Sequence, residues 1–194
     1  MNNSAFLERP SQFRANLLQE QINTAATRAL RSAGCAAQED PSWFRKYMLY
    51  DFLDGGRNYK GVDCWGLIYS VYKHELGIVL PSYDDLSPQE QMAVSDQVEK
   101  DTVARPWIDV PLNEMRPFDM CVLRGLAQHK GRFQWMSNHV GVVTIPPYVM
   151  HIEDAAGVMH LPIMDTNQRR RDDLLSRRVR RIVRHEQSLD LNGV

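Results

Sequence analysis

One cysteine in this chain stands where a helix is about to begin. Gly61-Val62-Asp63 has the composition of a turn. Cys64, Leu67, Ile68, Val71, Tyr72 and Leu76 then follow at i, i+3, i+4, i+7, i+8 and i+12, one continuous face of a helix. Asp63 occupies the N-cap position, and Gly77 stands where a glycine ends a helix. A thiol on the first helical residue meets backbone N–H groups that carry roughly half a positive charge. That environment favours thiolate, and the thiolate is the nucleophile in cysteine chemistry. A buried core cysteine fits the same position, and placement alone does not choose between the two.

Cysteine catalysis also needs a base beside the thiol and a third group to orient that base. His139 opens the apolar run Val140–Ile145 directly after Ser137-Asn138, which places its side chain at the mouth of a sheet. His151 lies in the next β-prone segment, beyond Pro146-Pro147, where antiparallel pairing can bring the two imidazoles together. His74 points away on the helix after Cys64, His129 lies in a polar insertion, and His185 is near the C-terminus. His160 competes, because it could join His139 and His151 around a metal. The chain holds no H-x-x-x-H or C-x-x-C pair, the local spacing that zinc sites usually show, so acid–base roles are preferred and no metal or organic cofactor is expected.

These residues need a scaffold. Helical segments are expected over Trp43–Phe52, over 64–76 and over Pro88–Thr102, with a loop at Asp54-Gly55-Gly56-Arg57-Asn58. The second half turns β-prone at Met120–Leu123, Val140–Ile145, Val149–Ile152, Gly157–Leu161 and Val179–Val183. Helices first and strands afterwards imply an α+β fold, with the cysteine helix packed on a central antiparallel sheet. Upstream, Phe13, Leu17, Leu18, Ile22, Ala25, Ala26, Ala29 and Leu30 form a near-helical stripe over 11–33. A lone amphipathic helix must dock on the domain behind it or on a partner. The expected division is an N-terminal helical extension at 1–40, a main domain at 41–187 and a tail at 188–194.

Composition narrows the setting. The chain has 194 residues, 43% hydrophobic and 24% charged, with a formal net charge of −1, so nothing global draws it to nucleic acid or acidic membranes. Three cysteines, Cys35, Cys64 and Cys121, argue against a disulfide framework. No apolar run reaches membrane-spanning length, and Met1–Gln12 lacks the apolar stretch of a secretory signal. The expectation is a protein made in a reducing cytoplasm and carried out, if at all, by another vehicle. Eight arginines fall between Arg169 and Arg184, interrupted by Asp172-Asp173 and partly alternating, as in a charged edge strand. The aromatics Trp43, Phe44, Tyr47 and Tyr50 read as core.

Taken together, these stretches resemble the NlpC-type, papain-like endopeptidases of bacterial peptidoglycan. Gly61-Val62-Asp63-Cys64-Trp65-Gly66-Leu67-Ile68 is similar to their catalytic segment, and Gly77-Ile78-Val79-Leu80-Pro81 to the turn that follows it. Arg116-Pro117-Phe118-Asp119-Met120 resembles their Pro-Gly-Asp turn, with Phe118 in the glycine's place. Asn138-His139-Val140-Gly141-Val142 is similar to the strand with the catalytic histidine, and His151 falls where the family keeps its third polar residue. The resemblance spans about residues 45 to 184 and implies a catalytic set of Cys64, His139 and His151. Asp63, Trp65, Phe52 and Asn138 would line the substrate cleft.

The sequence departs from the family's pattern at two places. Trp65 stands where the cell-wall enzymes commonly have serine, and Asp-Cys-Trp-Gly resembles the branch found in bacteriophage tail proteins. Phe52 stands where the family tends to place a tyrosine hydroxyl near the oxyanion site. The resemblance thus implies a hydrolase of peptidoglycan stem peptides, cutting between D-glutamate and diaminopimelate or lysine. Its expected setting is a phage tail tip, assembled in the host cytoplasm with other tail or baseplate proteins as partners. A structural tail component with the same fold and little activity is the alternative.

Overall fold

The structure is a computed structural model that describes residues 42–87, 89–163 and 174–190. The chain divides into two units, Met1–Asp40 and Pro41–Val194. The expected N-terminal helix and docking extension lie outside the described residues, as do Arg169–Arg171 and 191–194.

The second unit opens with a 3₁₀ helix, Trp43–Leu49, within the stretch expected to be helical. Its two buried residues, Phe44 and Tyr47, are three apart, which suits three residues per turn. The following extended stretch runs beside Val62, whose carbonyl accepts from Leu53 N at 3.0 Å and whose N–H donates to Asp51 O at 3.0 Å. A minimal hairpin of β1 (Arg57–Asn58) and β2 (Gly61–Val62) then delivers the chain to helix α1, Cys64–Val71.

The apolar face expected over 64–76 is present, with Leu67, Ile68, Val71 and Tyr72 fully buried. The last turn, Tyr72–Leu76, widens, so that Gly77 N and Ile78 N both reach Tyr72 O. Gly77 then stops the helix at φ 67°, a conformation that costs glycine nothing. Helix α2, Gln91–Thr102, is mostly polar, as expected of a surface helix.

A six-stranded antiparallel sheet forms the second half: β3 (Trp107–Val110), β4 (Met120–His129), β5 (Arg132–Val143), β6 (Tyr148–Glu153), β7 (Gly157–Pro162) and β8 (Val179–His185). Its order is β3-β8-β4-β5-β6-β7. Helix α1 packs on β5 and β6, giving the expected α+β architecture, a papain-like pairing of helix and sheet. One apolar cluster joins Cys121 and Leu123 with Val143, Val149, Ile163 and Ile182. A short helix α3, Leu174–Arg178, leads into β8, and α4, Gln187–Asp190, follows it.

Three strand expectations change. First, β8 is an interior strand covered by β3, so its arginines do not protect an edge. They pair instead: Arg184 holds Asp119 through Nε at 2.7 Å and Nη2 at 2.8 Å, and Arg181 and Arg180 meet Glu99 on α2. Second, the short strand β3 was not foreseen, since Trp-Ile-Asp-Val is too brief for a clear period. Third, the polar insertion around His129 is itself part of the sheet. Strands β4 and β5 run on as a two-stranded arm, pairing from Gly125↔Met136 to His129↔Arg132. Lys130 and Gly131 close it with φ 49° and 75°, the two positive values of a tight hairpin turn.

Candidate active site

Asp63 fixes the head of α1. Its Oδ1 accepts from Gly66 N at 2.7 Å, the N-cap bond, while Oδ2 accepts from Gly55 N at 3.1 Å and meets Arg57 Nη1 at 2.7 Å. The residue is 1% exposed, so this network is a buried ion pair with satisfied oxygens. Asp63 borders both cavities described below. Its carboxylate, however, is fully engaged in holding the helix start and has no oxygen left to present to a substrate.

Cys64 is the first residue of α1 and is partly exposed. Its sulfur lies against the backbone N–H groups of Val140 and Trp65, which favour thiolate, as does Arg57. Surrounding protein and the adjacent Asp63 charge oppose them more strongly and push the thiol up to about 12. At rest the thiol form is therefore favoured over the thiolate that a helix start alone would give. The helix N-terminus helps, but the same N-cap that builds it puts a negative charge beside the sulfur. Cys121, also a free thiol, is fully buried in the sheet.

His139 enters from β5, on the strand next to Val140. Only Val142 and Val143 of β5 pair with β6, so β5 has already left β6 at His139, which opens the sheet there. His139 Nε2 lies 3.0 Å from His151 Nδ1, with the rings at 84°. The expected convergence of the two imidazoles is therefore present. Burial, followed by the neighbouring His151, lowers the His139 pKa well below the usual imidazole value. His151 is 1% exposed and is lowered by burial to about 4. Both rings are thus neutral at pH 7.

Two further residues stand behind His151 that sequence reasoning missed. Glu153 Oε1 is 3.9 Å from His151 Nδ1 and 2.6 Å from Arg178 Nη1. Arg178 Nε also donates to Arg124 O at 2.9 Å. The alternation of a strand puts residues 151 and 153 on one face, a signal the sequence does contain. His139, His151 and Glu153 bring ligand atoms within 4.8 Å of one another, a grouping able to hold a metal ion. The Arg178 guanidinium on Glu153 disfavours a cation there. His160 is not part of this group. It is stacked between Phe44 (4.6 Å) and Tyr148 (5.1 Å), and its Nε2 meets Thr144 Oγ1 at 2.5 Å.

Two cavities flank the Cys64–His139 pair. A small apolar one of about 50 Å³ is bordered by Trp65, Tyr83, Leu86, Val94 and Val98. Trp65 Nε1 donates to Pro81 O at 2.8 Å and its ring leans on Tyr83, so this residue fastens the loop after α1 over the pocket. A larger, open cavity of about 490 Å³ is bordered by Phe52, Gly125, Leu126, Trp135, Glu153 and Arg178. Cys64, Asp63, Asn138 and His139 border both. Asn138 Nδ2 donates to Gln91 Oε1, and its Oδ1 is buried without a hydrogen-bond partner among the described residues. Gly125 faces that amide across the arm, and any Cβ there would collide with Asn138 Oδ1.

A helix-start thiol, an imidazole and an orienting second imidazole between two clefts make an arrangement suited to acyl transfer. No curated protein matches this chain. A model of the NlpC/P60 family matches residues 50–151, more than half of the chain and the whole stretch from the approach to Cys64 through His151. The chain therefore belongs to the NlpC/P60 family, a family of cysteine peptidases and amidases.

Proposed function

We propose that this protein hydrolyses amide bonds in the peptide stems of peptidoglycan. The observation that carries the reading is the 3.0 Å contact between His139 Nε2 and His151 Nδ1 beside the Cys64 helix start. In this scheme His151 accepts the Nε2 proton of His139, which leaves His139 Nδ1 as the base for the thiol. Proton transfer and sulfur attack on the carbonyl run together, because both partners rest neutral. The imidazolium then returns its proton to the leaving amine, and water resolves the acyl-enzyme by the same path. The backbone N–H of Cys64 at the head of α1 serves the oxyanion. Phe52, Trp65 and Asn138 line the cleft for the stem.

The same proposal places the protein in a phage tail tip, assembled in the host cytoplasm and reaching the wall from outside, beside other tail or baseplate proteins. The Asp63-Cys64-Trp65-Gly66 form supports that setting. A structural tail component of low activity is favoured by two observations, the thiol held near 12 and phenylalanine at position 52. Incubating the protein and Cys64→Ala with muropeptides, followed by mass spectrometry, decides between them. Stem cleavage by the unmutated protein alone supports the hydrolase, and no cleavage by either folded protein favours the structural component. Proteomics of particles from the encoding genome tests the tail assignment.

A further inference from the structure

The β4–β5 arm has two unlike faces. On one, Ala127 and Met136 are 5% and 7% exposed, and Gln134 Nε2 reaches Met92 Sδ of α2 at 3.8 Å. The opposite face carries the cross-strand pairs Leu126↔Trp135 and Gln128↔Phe133. There Leu126, Trp135 and Phe133 are 56%, 56% and 70% exposed. No ring contact among the described residues engages either aromatic. A contiguous exposed apolar face of this kind marks an interaction site.

We propose that this face is a platform for the sugar chain of peptidoglycan. The inference rests on the peptidoglycan reading and extends it to the part of the substrate that is not cut. Continuity supports it: Leu126 and Trp135 border the larger cavity together with Cys64 and His139, so a substrate lying in that cavity runs onto the arm. Phe133 then lies roughly 7 Å beyond Trp135, two residues along a strand. The chemistry fits sugar better than peptide stem. A pyranose presents flat C–H faces that gain by covering aromatic surface, with hydroxyls left at the rim. Gln128 on the face and Asp154 at the cavity edge can bond such hydroxyls. Leu126, Gln128, Phe133 and Trp135 include no charge, whereas the stem is rich in carboxylates and would seek cations.

The test uses the full chain. In a Cys64→Ala background, Trp135→Ser/Phe133→Ser is compared with the unaltered arm for co-sedimentation with purified sacculi. In the Cys64 background, kcat/KM is measured on a disaccharide-bearing stem and on the same stem without sugars. The expected result is about tenfold weaker wall binding, and about a tenfold fall in the ratio of the two kcat/KM values. Wall binding and ratio both unchanged overturn the assignment and leave the face to a protein partner. Equal loss on both substrates also overturns it, because the arm would then merely support the site. Absence of cleavage and of wall binding with the arm intact overturns it together with the peptidoglycan reading.

Discussion

His139 Nε2 and His151 Nδ1 lie 3.0 Å apart, and a contact between two neutral imidazoles holds one proton. If His139 is to take a proton from Cys64 on Nδ1, its own proton must sit on Nε2 and His151 must accept it. His151 then carries its proton on Nε2, which is buried with no partner among the described residues. The arrangement gives His151 a tautomeric role that a packing residue would lack.

Replacement of His151 separates the two roles. His151→Ala is expected to lower kcat by about 10²-fold or more with little change in KM. His151→Asn keeps an acceptor for His139 Nε2–H and should recover most of that loss. Steady-state kinetics on a defined stem peptide check this, and equal losses for both variants would mean that His151 only fills space.

Alkylation reports the state of the thiol. With Cys64 pushed up to about 12, its iodoacetamide rate should climb about tenfold per pH unit from pH 7 to 10. A plateau already reached near pH 6 would show a standing thiolate and disprove the neutral pair. Cys121, fully buried, should stay unlabelled while the protein is folded.

Much of this site is visible in one dimension because it depends on local patterns. The stripe from Cys64 to Leu76, its Asp63 cap and the Gly77 stop are all spacing rules, and all hold in the structure. The meeting of His139 with His151 needed only two adjacent antiparallel strands. What stayed hidden depends on tertiary surroundings. The upward push on Cys64 comes from burial and from the very carboxylate that caps the helix. Glu153 and Arg178 meet only when β8's approach lies beside β6, across 25 residues of chain. Phe118 adopts φ 71° in a glycine-like position, held by stacking on Trp43 at 4.4 Å and by Tyr72 Oη donating to its carbonyl at 2.6 Å. No local rule foretells a phenylalanine there.

Acid should destabilise the fold before it silences the base. His151 and His160 are each lowered by burial to about 4, against 6.5 when unfolded. Between those values the unfolded chain binds protons that the native one refuses, so stability is full above about pH 6.5 and falls toward pH 4. Each histidine accounts for up to about 3 kcal/mol of that loss. Urea midpoints at pH 7.5 and 5 should differ markedly, and His160→Phe should narrow the gap. Equal midpoints at the two pH values would contradict the buried neutral assignments.

Two glycines should respond differently to alanine. Gly66 lies in α1, where alanine usually gains about 1 kcal/mol over glycine. Here a Cβ would fall well inside contact distance of the Gly56 carbonyl, a backbone atom that cannot step aside. Gly66→Ala is therefore expected to prevent stable folding, seen as loss of a cooperative thermal transition. At Gly125 the obstacle is Asn138 Oδ1, the end of a side chain that can rotate. Gly125→Ala should fold with a near-normal melting temperature and lose activity, because Asn138 borders both cavities beside His139.

Phe52 offers a gain-of-function test. It bridges to Val62 just before the Cys64 helix, and its side chain borders the larger cavity with Cys64 and His139. A hydroxyl at this point would add a second donor to the Cys64 N–H for the developing oxyanion. A single oxyanion donor is worth about 10²–10³ in kcat when optimally placed. A tyrosine introduced into an unoptimised pocket should realise less, so Phe52→Tyr is expected to raise kcat about tenfold with KM little changed. Phe52 borders the open cavity, so the added hydroxyl buries no new apolar surface and the melting temperature should hold. A rise confined to 1/KM would place the hydroxyl on bound substrate and not on the transition state. No rise at all would show that the Cys64 N–H and the helix head already stabilise the oxyanion without a side-chain donor.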